Sequence, residues 1–269
     1  MQNKVLWKAF CLIASLIFVL AGWHITALIL ATPALPIPAE ALSVCLQYAD
    51  DLAPDFGISF QRVGASLLLG TVLGTPVGLA FGRCKKLDQL LAPALYILYP
   101  IPKIVLLPIL LVLLGFGSEL KIALITLTVF FQVVVVMRDA AKNIPDDLLI
   151  SVRSLGATRI QLAHHVIFPA TMPQLFTTLR VSSAVAIAVL FFAEAIAGST
   201  GLGYFIMNSW GMVNYPRMFA GIVALALLGV IFYELFDLIE RRLSHKERQR
   251  LAECPNAPRR LLVLSHPSA

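Results

Sequence analysis

The sequence predicts an all-α integral membrane protein with about six transmembrane helices and one long polar loop on the cytoplasmic side. Three observations lead there. Hydrophobic residues make up 59% of the chain and charged residues only 13%, about half the charged share of a soluble domain, with mean hydropathy +0.85. The apolar runs are long enough to cross a hydrocarbon core, which takes about 20 helical residues. Lys and Arg collect on one side of the resulting topology, which the positive-inside rule makes the cytoplasm. Lys121 and Arg217 are the clearest exceptions. A net charge of +6 is therefore a topology signal and not a nucleic-acid surface.

Residues 1–8, with Lys4 and Lys8, form a cytoplasmic N-terminus, and residues 9–31 form the first transmembrane helix. A signal peptide is the competing reading. The run is long for one, and the Ala-Thr-Pro that follows is a poor cleavage site. Residues 32–58 are rich in Pro and acids (Pro33, Pro36, Pro38, Glu40, Asp50, Asp51, Asp55) and read as a periplasmic loop with a short surface helix. A five-helix core domain then occupies residues 59–240, followed by a basic tail at 241–269.

The second span, 60–82, carries Gly70, Gly74 and Gly78 at four-residue spacing, a face that lets another helix approach closely. Pro76 is expected to kink it. The third, 90–117, is too long for one straight crossing at about 1.5 Å per residue. Pro93, Pro100, Pro102 and Pro108 are expected to break it around Lys103. A charge within a broken helix either lines a pathway or snorkels to an interface. Gly115 and Gly117 make an outside turn before the fourth span, 121–137, whose run of valines at 133–136 reads as helix, because lipid admits only helices and closed barrels. The fifth span, 181–197, holds Glu194 near its outer end. A polar-aromatic outside segment at 199–217 and a sixth span at 218–238 complete the core.

The loop at 138–180 carries the sharpest local pattern. Pro145 offers a helix start. Leu148, Leu149, Val152 and Leu155 recur at helical spacing and give an amphipathic helix. Gly156 ends it, and Ile160, Leu162 and Val166 open a second helix that Pro169 and Pro173 are expected to break. Two short helices around a glycine make a knob suited to docking.

Catalytic chemistry has no foothold. There is no G-x-x-x-x-G-K-[ST] and no H-E-x-x-H. His164 and His165 are adjacent, so they are expected to point apart and not to pair on a metal. Cys11, Cys45, Cys84 and Cys254 are scattered, which argues against a disulfide framework or metal site. The chain is expected to be no enzyme and to need no cofactor.

On the stretch from Ile150 to Thr158 and the Ile-Phe-Pro ending at Pro169, the loop resembles that of inner-membrane permease subunits of bacterial ATP-binding-cassette importers. Their loop reads E-A-A, three residues, Gly, about ten residues, then I-x-L-P. The segments Tyr-Pro-Ile-Pro-Lys at 99–103 and Ala-Glu-Ala-Ile-Ala-Gly-Ser-Thr-Gly-Leu-Gly-Tyr at 193–204 resemble the branch handling nitrate, sulfonates and taurine. One departure is Ile150, where the family commonly carries Glu. The resemblance implies a coupling helix formed by Arg153, Ser154, Leu155, Gly156, Ala157 and Pro169. It also implies a homodimer, two copies of a separate ATPase and a periplasmic or lipoprotein solute-binding protein. The setting is the bacterial inner membrane, multi-pass with both termini cytoplasmic, with lipid and no nucleic acid as surroundings. Lys103, Glu194, Gly201 and Gly203 are candidate pathway or gating residues. A bare Glu194 carboxylate would repel anions, so it is expected to bond backbone at the glycine-rich turn 198–203 or to pair with Lys103 or Arg217. Two other classes stand beside this one: an ion-driven secondary transporter, which should show internal repeats and paired intramembrane acids, and a membrane scaffold that docks a soluble partner.

Overall fold

In the computed structural model, residues 2–252 are described, with side chains described at 7, 10, 11 and 14–242. The expectations for Lys4, Lys8, Cys254 and residues 253–269 lie outside these. Every described element is helical: α1 Gln2–Leu30, α2 Pro38–Gln47, α3 Ala49–Arg83, α4 Lys85–Leu98, a 3-10 turn Lys103–Leu106, α5 Leu107–Leu114, α6 Ser118–Lys142, α7 Asp146–Ser154, α8 Arg159–Leu162, a π-helical turn Ala163–Ile167, α9 Phe168–Ala197, α10 Leu202–Gly211 and α11 Tyr215–Ala252.

Four helical stretches are long and apolar enough to cross a membrane: Ala49–Arg83, Ser118–Lys142, Arg159–Ala197 and Tyr215–Arg242. A fifth is reached if α4 and the segment Lys103–Leu114, bent by 83° at their junction, count as one broken crossing. Within α1 the described apolar stretch is Ala14–Leu30, shorter than a full span. The described residues thus supply four or five of the six expected crossings.

Proline behaves differently at each site. Pro93 lies inside α4 without ending it, and α3 is continuous through Pro54 and Pro76. The chain breaks at Pro100 and Pro102, while Pro108 sits in the first turn of α5, where its missing N–H has no intrahelical partner to lose. Pro169 and Pro173 do not break the second loop helix, contrary to expectation. Helical backbone runs on from α8 to the end of α9, and the π turn immediately precedes Pro169. An α-turn there would set the Pro169 ring against the carbonyl of His165; the wider turn relieves it. The acid-rich stretch read as loop is also helix. Asp50 and Asp51 occupy the first turn of α3, where carboxylates complement the N-terminal dipole.

Packing divides the chain into two units: the chain up to Phe60 with Glu194–Leu228, and Gln61–Ala193 with the chain from Gly229. In the first, Trp23 Nε1 donates to the Pro36 carbonyl at 3.0 Å, and its ring stacks on Phe219. Gly221 lets α11 approach Phe205 and Ile206 of α10; an added Cβ would stand 2.7 Å from Ile206 Cγ1. In the second unit the glycine face of α3 is packed against α6. A Cβ at Gly70 would meet Val129 at 2.7 Å, at Gly74 Val133 at 3.0 Å, and at Gly78 both Met137 Cβ and the Val134 carbonyl at 2.7 Å. Gly82 continues the row against Arg138 and Ala141. Val129, Val133 and Met137 are wholly buried there.

That close approach sets a test. Gly78→Ala should destabilise the detergent-solubilised protein by about 1–3 kcal/mol, as overpacking does. At Gly57, also in α3, nothing lies within 4 Å of an added Cβ, so Gly57→Ala should gain about 0.5–1 kcal/mol of helix propensity. Thermal unfolding of both variants reads the difference, and equal midpoints would remove the packing face.

Candidate functional site

Three places concentrate the sequence-predicted residues. The first is the loop between α6 and α9. Arg83 anchors its base by donating to the Ala141 carbonyl and to Asp146 Oδ1, both at 3.1 Å. Beneath it Ala141, Ile144, Leu149, Leu162 and Ile167 form a buried cluster, with Leu79, Val152 and Val166 packed against it. The predicted stripe therefore divides: Leu149 and Val152 turn inward, while Leu155 is 87% exposed. Gly156 takes φ +86° with open space where a Cβ would be, a conformation that favours glycine, and its N–H closes the end of α7 on the Arg153 carbonyl at 2.9 Å. Thr158 and Gln161 then form a reciprocal capping box that starts α8. Arg153, Ser154, Gly156 and Pro169 are exposed and Ala157 half-buried. Ile150 and Ile160 are exposed as well; sequence reasoning counted Ile150 only as a departure and Ile160 only as a helix start. The His164 and His165 rings, both in the π turn, do not point apart: they meet edge to face at 4.9 Å.

The second place is the break around Lys103. Its Nζ donates to the carbonyls of Leu98 at 2.7 Å, Ile101 at 2.8 Å and Tyr99 at 3.1 Å, and lies 4.6 Å from the centroid of the Phe131 ring. These carbonyls belong to the end of α4 and the turn beyond, where no helical N–H follows to take them. Lys103 is buried. Lys121 repeats the arrangement one break later, donating to Phe116 and Gly117 carbonyls at 2.7 and 3.2 Å. Two cavities adjoin this break. One of ≈ 340 Å³ is lined by Lys103, Tyr99, Thr128, Phe131 and Gln132 among others. The other, ≈ 360 Å³, is lined by Tyr99, Gln132, Gln174, Thr177, Thr178 and Ser182, with two valines.

The third place is the turn between α9 and α10. Glu194, in the last turn of α9, is wholly buried. The Ser59 hydroxyl lies 2.9 and 3.0 Å from its two carboxylate oxygens, and the Gly203 N–H donates to Oε2 at 2.9 Å. Ser59 Oγ in turn accepts the Leu202 N–H at 2.9 Å, and Asp55 Oδ1 accepts the Gly201 N–H at 2.6 Å. Three consecutive N–H groups at the start of α10 are thus held by side-chain oxygens, where the helix dipole favours negative charge. Gly201 has φ +102°, and any Cβ there would collide with the Glu194 carboxylate. Arg217 pairs with Asp51 at 3.6 Å. The structure brings Glu194, Gly201 and Gly203 together. Lys103, Gly70, Gly74 and Gly78 belong to the other unit.

Sequence reasoning missed Ser59, Asp55 and two ionic groups. Arg138 pairs with Asp88 and donates to Tyr96 Oη at 2.8 Å, and Lys142 meets the same Asp88 at 2.5 Å. Arg180 donates to Asp237 at 2.8 Å, while Thr177 donates to Glu240 at 2.7 Å. Asp237 and Glu240 at the end of an apolar run were a usable signal, since such acids need partners. Among the described residues no group of three or more His, Cys, Asp or Glu is placed to hold a metal ion.

The model of the family described as "binding-protein-dependent transport system inner membrane component" matches residues 70–245. The chain is 28% identical over 230 residues to the taurine transport system permease protein of Escherichia coli (strain K12), covering 82% of this chain and 84% of that one. It is 31% identical over 186 residues to a putative aliphatic sulfonates transport permease protein of Bacillus subtilis (strain 168), covering 69% and 67%. Its fold is similar to a chain of the inward-facing MetNI methionine ABC transporter, with TM-score 0.60 and 24% identity over 71% of this chain and 95% of that one.

Removing the Glu194 carboxylate leaves the Gly203 N–H and Ser59 hydroxyl without their acceptor. Glu194→Ala should cost at least the about 1.5–3 kcal/mol of a hydrogen bond to a charged group, and Ser59→Ala less. In the double variant the two losses should fall short of adding, with a coupling of about 0.5–3 kcal/mol in thermal unfolding; strict additivity would deny the contact. Lys103→Met removes the cation from the Leu98, Tyr99 and Ile101 carbonyls and leaves Leu98 with the Ile101 N–H at 3.3 Å, so its unfolding midpoint should drop while Lys103→Arg recovers part of the loss. Equal midpoints for Met and Lys would show that the break holds without a cation.

Proposed function

This chain belongs to the binding-protein-dependent transport system inner membrane component family, as a permease subunit of an ATP-binding-cassette importer, and from that premise we propose how it couples and what it carries. Two copies pair in the bacterial inner membrane, each with six spans and cytoplasmic termini, and form the solute path at their interface. Two copies of a separate ATPase bind the loops at 138–180. A periplasmic or lipoprotein binding protein delivers a small solute of the nitrate, sulfonate or taurine kind. ATP-driven closure of the ATPases draws the two loops together, and the spans open outward by alternating access. No bond of the solute is broken by this chain, and ATP is hydrolysed by its partner.

The exposed apolar loop on a packed base is the observation that carries the coupling role. Leu155 and Ile160, at 87% and 80% exposure, stand either side of the left-handed Gly156, flanked by Arg153 and Arg159. Apolar side chains that the fold leaves in water gain by burial in a partner, at about 25 cal/mol per Å². The cluster under them packs the loop onto Leu79 of α3 and Ala141 of α6 and includes Ile167, the last residue of the π-helical turn before α9. Ile150 is exposed beside them, so this loop docks by apolar contact at the position where relatives commonly place a carboxylate.

Mild-detergent isolation of the tagged protein from its native membrane tests the reading. Wild type should bring down an ATP-binding-cassette ATPase, and Gly156→Trp or the paired Leu155→Asp, Ile160→Asp variant should lose most of it. Recovery with every variant would move the coupling contact elsewhere; no ATPase even with wild type would favour the scaffold or ion-driven reading.

A further inference from the structure

The two cavities of the second unit share a wall, because Tyr99 and Gln132 line both. The two sides of that wall are built differently. Gln132 lies on α6 next to Val133, whose side chain packs on Gly74 of α3, so its backbone belongs to the glycine-mediated contact between α3 and α6. Tyr99 lies where α4 ends, and its carbonyl is one of those held by Lys103. The partition is therefore one side chain on a rigid helix facing one on an interrupted helix.

Its chemistry is selective. Gln132 Oε1 is buried without a hydrogen-bond partner, and a carboxamide offers both donors and an acceptor. Beyond it Gln174, Thr178 and Ser182 add neutral polar groups. No acidic side chain is among the residues lining either cavity, and their single charged lining residue is Lys103. Neutral donors beside one positive charge suit a small anion-headed solute. They hold it weakly enough to let it go, as conduction through a sequence of sites requires.

We propose that Gln132 is a specificity-determining residue, touching the solute as it passes between the two cavities and reading an anionic head such as a sulfonate or another oxyanion. The assignment rests on the permease reading, but the following test does not. In the full chain with Cys11, Cys45, Cys84 and Cys254 changed to Ser, Gln132→Cys is exposed in native membranes to two thiol reagents of similar size. One is anionic, 2-sulfonatoethyl methanethiosulfonate; the other is cationic, 2-(trimethylammonium)ethyl methanethiosulfonate. The Gln132→Cys thiol should react with the anionic reagent about tenfold faster than with the cationic one, as a single nearby charge allows. The Val133→Cys thiol, packed on α3, should react with neither. Gln174→Cys serves as the second position, and recovery of the ATPase with each variant reports separately on assembly. Failure of both Gln132→Cys and Gln174→Cys to react, or reaction without preference for the anion, would overturn the assignment even where the ATPase is recovered. Preferential anion labelling in a protein that recovers no ATPase would keep the polar path and discard the importer.

Discussion

Wherever a helix stops in an apolar surround, its last carbonyls and first N–H groups must find partners, since each unmet group costs several kcal/mol there. This protein meets that constraint with ionised side chains placed on backbone ends. Lys103 takes the carbonyls freed at the end of α4, Lys121 those before α6, and Glu194 with Ser59 and Asp55 the N–H groups that open α10. At the end of α4 the cation sits on carbonyls and at the start of α10 the carboxylates sit on N–H groups, which is the sign the helix dipole prefers. These contacts hold the backbone at the 83° bend and at the α9–α10 turn.

The same arrangement explains how a charged residue can be buried here without binding solute. Lys103 borders a cavity, yet its N–H groups point at carbonyls. It supplies a positive field and leaves hydrogen bonding to Gln132 and its neutral neighbours. Glu194 is enclosed by a serine and by glycines that leave no room for a side chain. A carboxylate so enclosed locks a turn. The glycine face of α3 works in a complementary way: it removes side chains so that α3 and α6 touch backbone to side chain, and that pair carries both Gln132 and the base of the loop at 138–180.

That loop has two halves. Its inward half, Leu149, Leu162 and Ile167, continues the packed core, and its outward half, Leu155 and Ile160, is exposed. Gly156 separates the halves with a backbone conformation few other residues adopt. The π turn at Ala163–Ile167 lets the helical backbone run from α8 through Pro169 into α9 without a gap.

The sequence by itself determined what depends on composition and local rules. Apolar runs and sparse charge made the chain helical and membranous, the spacing of Gly70, Gly74 and Gly78 marked a packing face, Gly156 marked the loop's turn, and Pro100 with Pro102 marked the broken span. Only the tertiary structure decided which partner each buried polar group meets. Ser59 and Asp55 look like ordinary polar residues of an acid-rich loop until the start of α10 is laid against them. Asp88 with Arg138 and Arg180 with Asp237 are 50 and 57 residues apart, and local patterns cannot register such pairs. Proline showed the limit most clearly: Pro76, Pro93 and Pro173 stay within helices while Pro100 and Pro102 end one. The cost of a proline depends on whether neighbours and turn geometry can absorb the lost hydrogen bond, and that is a property of packing in three dimensions.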